Sequence, residues 1–123
     1  MKIHESAEDY LEQILMLKEQ KGSVRSIDIA VAMGFSKPSV SIAMKKLREN
    51  GYISVDADGF ITLEEPGLEI ARRIYDRHRK LTAFFVALGV DPDIAAHDAC
   101  KIEHDLSEET YSKMIAFAEQ YKK

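Results

Sequence analysis

SIDIAVAMGFSKPSVSIAMKKLRENGYISVDADGFITL, residues 26–63, changes its hydrophobic period partway along. Ile27, Ile29, Ala30 and Met33 give a short helix opened by Ser26 and ended by Gly34, since glycine readily takes the left-handed conformation that closes a helix. Phe35 is expected to plug the turn into the core. Ser36 caps the next helix, and Pro38 falls in its first turn, where a missing N–H does little harm. Val40, Ala43, Met44 and Leu47 form its buried stripe, and Asn50-Gly51 stops it. The period then becomes two. Tyr52, Ile53 and Val55 lead out, Asp56-Ala57-Asp58-Gly59 turns, and Phe60, Ile61 and Leu63 return. Helix, tight turn, helix and hairpin in this order predict a winged helix-turn-helix.

Upstream, Ala7, Tyr10, Leu11, Ile14, Leu15 and Leu17 predict a helix reaching about Glu19, with Ser6 as its cap and Lys21-Gly22-Ser23 as its stop. Downstream, Pro66-Gly67 reads as a break. A long helix is expected from about Leu68 to Leu88, ended by Gly89. Asp91-Pro92 is a cap followed by an N1 proline for a helix through His104. Ser107, with Glu108 and Glu109 behind it, opens a last helix to about Tyr121. The fold class is therefore mostly α with a small β-hairpin.

The 123 residues suit one compact domain or a small domain with an interaction module. Hydrophobic residues at 46% and charged residues at 31% argue for a packed chain over a disordered one. No apolar run approaches ~18 residues, so no membrane span is expected. Met1-Lys2-Ile3-His4-Glu5 has no apolar signal region. The single cysteine excludes an internal disulfide and fits a reducing compartment, so a cytoplasmic location is expected.

The net charge of -4 hides an uneven distribution. Between Ser36 and Asn50, four cations against one acid give +3; from Asp91 onward, eight acids against four lysines give -4. A basic element in an acidic chain is compatible with phosphate contact. In a helix-turn-helix, the start of the second helix faces base edges in the major groove. Here that start holds Ser36, Lys37, Pro38, Ser39 and Ser41, whose hydroxyls can bond bases or phosphates. Ile42 can touch a thymine methyl. Lys37, Lys45, Lys46 and Arg48 are expected on the DNA backbone. The acidic hairpin tip at Asp58-Gly59 is not. A solvated basic face on a structural helical hairpin is the plainer reading of the same charges.

Cys100, Glu103 and His104 stand at i, i+3 and i+4, which puts a thiol, a carboxylate and an imidazole on one helix face. Together they suit a divalent transition metal. Asp9, Glu12 and His78 are a second donor set, far upstream. Each has an ordinary alternative: Asp9 as partner of the Ser6 cap, Glu12 in water, His78 packed in an apolar band, Cys100 as a small buried hydrophobe. His97 shares the stripe of Cys100 and His104.

The segments Ala7-Glu8-Asp9-Tyr10-Leu11-Glu12-Gln13-Ile14, Ser36-Lys37-Pro38-Ser39-Val40-Ser41, Gly51-Tyr52-Ile53, Arg77-His78-Arg79-Lys80-Leu81 and Asp98-Ala99-Cys100-Lys101-Ile102-Glu103-His104-Asp105-Leu106-Ser107 resemble the iron- and manganese-dependent transcriptional repressors of the diphtheria-toxin-repressor type. The similarity spans nearly the whole chain and is closest to the two-domain, manganese-transport-regulator branch. It implies a winged helix-turn-helix domain over residues 1–66 and a helical metal-binding and dimerisation domain over 67–123. It further implies a homodimer that binds a palindromic double-stranded DNA operator when loaded with metal.

By that resemblance Asp9, Glu12, His78, Glu103 and His104 fall at ligand positions. Cys100 departs from the manganese branch, which has a glutamate there; the iron branch has the cysteine but a methionine in place of Asp9. The implied partition is one site from Asp9, Cys100, Glu103 and His104. A second comes from Glu12 and His78, sharing Glu103, with His97 or Asp98 to complete it. Carboxylates suit Mn²⁺ and a thiolate favours Fe²⁺, Co²⁺ or Zn²⁺, so Fe²⁺ or Mn²⁺ is expected as cofactor. The function expected is a metal-dependent repressor of metal-ion homeostasis. The alternative is a winged helix regulator that senses an organic ligand or a partner protein without metal. A phosphate-binding glycine loop and a nucleophile motif are both missing, so catalysis and an organic substrate are not expected.

Overall fold

A computed structural model describes residues 5–120. The expected helix end at Tyr121, and residues 1–4 of the segment Met1–Glu5 that is expected to lack a signal region, lie outside them. The chain divides into two compact units, Met1–Arg73 and Ile74–Lys123.

The first unit contains α1 (Glu5–Lys21), α2 (Ser26–Met33), α3 (Lys37–Glu49), β1 (Ile53–Val55), β2 (Ile61–Leu63) and the start of α4 (Glu65–Ala87). Its core gathers Leu11 and Ile14 of α1, Ile29 of α2, Val40, Met44 and Leu47 of α3, and Ile53 and Ile61 of the strands. These are the positions the two periodicities selected. β1 and β2 pair antiparallel with Ile53 opposite Leu63 and Val55 opposite Ile61. The Ile61 N–H also donates to the Val24 carbonyl at 2.8 Å, which ties the approach to α2 onto the outer edge of the hairpin. This is a winged helix-turn-helix, with the hairpin as the wing.

Three local expectations change in the first unit. Helix α1 begins at Glu5, so Ser6 lies inside its first turn and is not a cap. Phe35 is 48% exposed and meets Tyr10 edge-on at 5.9 Å between ring centres, at the margin of the core. Pro66-Gly67 does not break the chain, because α4 already starts at Glu65 and proline is tolerated in a first turn. Gly67 is there for another reason. A Cβ at this position would run into the Tyr52 carbonyl oxygen, which accepts the Glu64 N–H at 3.0 Å. Gly67→Ala is therefore expected to destabilise the first unit by about 1–3 kcal/mol through forced backbone movement, read as a lower urea midpoint.

Helix α2 is held by an acidic residue in its first turn. Asp28 accepts from the Arg25 N–H at 2.9 Å and from Lys21 Nζ at 2.6 Å. The Lys21 hydrogen bond, then the Arg25 N–H, hold its carboxyl below the usual carboxylate range. A carboxyl lowered in the folded state adds stability above its unfolded pKa. That stability is lost as pH falls through the folded value. Asp28→Asn should thus lower the melting temperature at neutral pH, and the gap to the wild type should close as pH falls below the ordinary carboxylate range.

The second unit holds the rest of α4, α5 (Pro92–Ile102) and α6 (Glu108–Gln120). Leu81, Ala99 and Tyr111 are buried together, with Phe85, Ile102, Leu106 and Met114 around them. The Asp91 carboxylate caps α5 by accepting from the Asp93 and Ile94 N–H groups. Helix α5 ends at Ile102, short of the expected His104, and residues 103–106 turn into α6. Among the described residues no helix is long and apolar enough to cross a membrane.

Candidate nucleic-acid interface and metal centre

Helix α3 has two faces. Val40, Met44 and Leu47, at i, i+4 and i+7, are buried in the first unit. Lys37, Pro38, Ser39, Ser41, Ile42, Lys45 and Lys46 are all exposed. Ser36 Oγ caps the helix by accepting from the Ser39 N–H at 3.3 Å, and it donates to Ser39 Oγ at 2.9 Å. The left-handed Gly34, with φ of 70°, makes the turn that sets α3 against α2. Ile42 is 59% exposed between Ser39 and Lys45, an apolar side chain left in water on a basic face. Every residue expected to read DNA is therefore exposed to solvent. Such a surface can neutralise phosphates while offering hydroxyl and methyl groups to base edges.

The expected metal donors divide between the units. In the first unit, Asp9 and Glu12 are one turn apart on α1; Asp9 is half-buried and Glu12 is buried. In the second unit, Glu103 just beyond α5 is fully buried. Its Oε2 lies 3.0 Å from His78 Nδ1 on α4, and its Oε1 lies 3.4 Å from His104 Nε2. Among the described residues, Oε1 has no hydrogen-bond donor, which is costly for a buried carboxylate. A carboxylate oxygen and an imidazole nitrogen that face each other without a hydrogen bond suit a cation between them. The donor set thus fits a divalent metal on the chain's own geometry. Cys100, His97 and Asp98, on α5 itself, are exposed.

The residue that pattern reading missed is Arg77. It lies on the buried stripe of α4 between Ile74 and Leu81, and only 7% of its side chain is exposed. A lone arginine in phase with buried apolar positions was the available signal.

A winged helix-turn-helix with an exposed basic helix, in one chain with a helical unit that buries a carboxylate between two imidazoles, defines a metal-responsive DNA-binding regulator. Residues 2–59 match the iron-dependent repressor N-terminal DNA-binding domain, and residues 64–123 match the iron-dependent repressor metal-binding and dimerisation domain. The chain is 37% identical over 120 residues to an HTH-type transcriptional regulator of Methanocaldococcus jannaschii, covering 96% of each chain. It is 34% identical to the transcriptional regulator MntR of Salmonella typhimurium over 95% of this chain and 74% of that one. Among solved structures, the manganese regulator SloR superposes with a TM-score of 0.79 at 28% identity. That match covers 97% of this chain and 55% of the SloR chain, so this chain spans about half the SloR length. The chain belongs to the iron-dependent repressor family, and it is a metal-dependent DNA-binding transcriptional regulator.

Proposed function

We propose that this chain represses genes of metal-ion homeostasis from a palindromic operator, with Fe²⁺ or Mn²⁺ as the effector. Residues 1–66 read the DNA; residues 67–123 bind metal and join two copies. Asp9 and Glu12 hold the ion together with His78, Glu103 and His104. Cys100 is a further ligand, and His97 or Asp98 completes a second position. The observation that carries this reading is the buried Glu103 carboxylate, flanked by His78 and His104, with one oxygen left without a donor. The name of SloR as a manganese regulator supports Mn²⁺, and the family description supports Fe²⁺.

Bound metal supplies positive charge that carboxylates from both units can share. Asp9 and Glu12 bring the ligands of the first unit on the same helix that packs against α2. His78, Glu103 and His104 bring those of the second. Sharing one ion restricts how the reading helices are held, and a palindrome needs them about 34 Å apart across the dimer. The ion shifts the equilibrium only by its difference in affinity for the competent and incompetent arrangements. A few kcal/mol then changes operator occupancy by orders of magnitude. Val86, Leu88, Ile94 and Phe117 leave apolar surface exposed on the second unit, which supports a second copy as partner. We assign the protein to the cytoplasm and give it no catalytic role.

A gel-shift titration tests the reading. The probe is duplex DNA selected from a random pool with Mn²⁺ present, and the ions are Mn²⁺, Fe²⁺, Co²⁺, Zn²⁺ and Mg²⁺ under anaerobic reducing conditions. A retarded complex that needs Mn²⁺ or Fe²⁺ and disappears with chelator is expected. Retardation that ignores the metal would instead favour control by an organic ligand or a partner protein.

A further inference from the structure

Arg77 buries a guanidinium in the second unit, and its acceptors are specific. Nη1 donates to the Glu103 carbonyl at 3.0 Å and to the Leu106 carbonyl at 2.9 Å. Nη2 donates to Glu108 Oε2 at 2.8 Å. The guanidinium carbon lies 4.7 Å from the centre of the Tyr111 ring, over its face. The two carbonyls belong to the turn after α5, where a helix leaves its last carbonyls without internal partners. Within that turn, the Asp105 and Leu106 N–H groups both donate to Ile102 O, at 3.0 and 3.2 Å. Arg77 therefore closes the end of α5 from outside and ties it to the first residue of α6.

We propose that Arg77 is a positioning residue for the metal. It grips the backbone of Glu103 itself, whose side chain is the buried carboxylate, and His104 follows in the same turn. By fixing that turn it keeps Glu103 Oε1 and His104 Nε2 facing each other at 3.4 Å. None of these three Arg77 hydrogen bonds goes to a ligand atom of Glu103 or His104. It acts through the carbonyls, and outer partners of this kind orient the ligands that bind a metal. Lysine cannot replace it fully, because a single ammonium on a flexible stem does not reproduce a planar fork that reaches two carbonyls and a carboxylate at once. This inference rests on the proposed metal role of Glu103 and His104.

The test uses the full chain with Co²⁺ as the probe, followed by its visible absorption. Helicity and sedimentation are measured on each variant. Arg77→Gln should bind Co²⁺ about 10- to 100-fold more weakly, with altered absorption bands. Arg77→Lys should fall between it and the wild type. Glu108→Gln should stay within about threefold, since its carboxylate is largely exposed and both carbonyls stay held. A folded Arg77→Gln or Arg77→Lys with wild-type Co²⁺ affinity and bands overturns the proposal, even if its melting temperature drops. Should Arg77→Gln fail to fold, Arg77→Lys decides by the same criterion. Glu103→Gln separates the two readings. If it too binds Co²⁺ as the wild type does, the metal assignment itself fails and the role given to Arg77 falls with it.

Discussion

Glu103→Gln is expected to abolish the response of DNA binding to divalent metal while leaving the metal-free fold intact. The wild-type carboxylate is fully buried, and its Oε1 has no donor among the described residues. An arrangement of that kind weakens the metal-free protein, because an unsatisfied buried acceptor costs on the order of 1–3 kcal/mol. Glutamine keeps the shape and removes the charge, so the metal-free melting temperature should hold or rise. The loaded state should differ sharply. At an Mn²⁺ concentration 100 times the dissociation constant, binding stabilises the folded form by about 2.7 kcal/mol, on the order of 10 °C for a chain of this size. Glu103→Gln should show none of that shift, and its Mn²⁺ affinity should fall by more than about 100-fold, beyond what loss of an outer partner costs. An undiminished Mn²⁺-induced shift in this variant would remove Glu103 from the site.

The second large effect concerns the reading helix. Replacing Lys37, Lys45 and Lys46 together with glutamine should weaken DNA binding about 500-fold at 0.1 M salt. Each phosphate contact contributes roughly 0.9 to the slope of log affinity against log salt, which is about eightfold per contact at that concentration. The slope should flatten by about 2.7, and Mn²⁺ affinity should not change. All three lysines are exposed and none belongs to the buried set of Val40, Met44 and Leu47. Loss of fold is therefore not the expected cause. A triple variant with an unchanged salt slope would mean that the phosphates are met elsewhere.

The helix-turn-helix was legible because each of its signals is local. Gly34, the Ser36 cap and the stripe at Val40, Met44 and Leu47 act within one or two turns of backbone, and the change of period at Tyr52 marks the wing. Gly67 misled for the opposite reason. Its contact is with the Tyr52 carbonyl, fifteen residues earlier in the chain, and nothing near Gly67 announces it. Phe35, expected to plug the turn after Gly34 into the core, instead rests edge-on against Tyr10 at the rim.

The candidate site was partly legible. The spacing of Cys100, Glu103 and His104 suggested one helix face, but α5 ends at Ile102. Glu103 and His104 therefore project from the turn that follows. Glu103 is buried while Cys100, one turn earlier, is exposed. The pairing of Glu103 with His78 crosses 25 positions of chain, which periodicity alone cannot supply. Arg77 shows the same limit, since its partners lie 26 to 31 residues away.

The most direct test is an anomalous difference map at the manganese edge, from crystals grown with Mn²⁺. A peak bonded both to a carboxylate of Asp9 or Glu12 and to Glu103 with His78 or His104 is the predicted result. A peak that engages donors of one unit only, or no peak on these residues, would contradict the claim that metal joins the DNA-reading unit to the helical one.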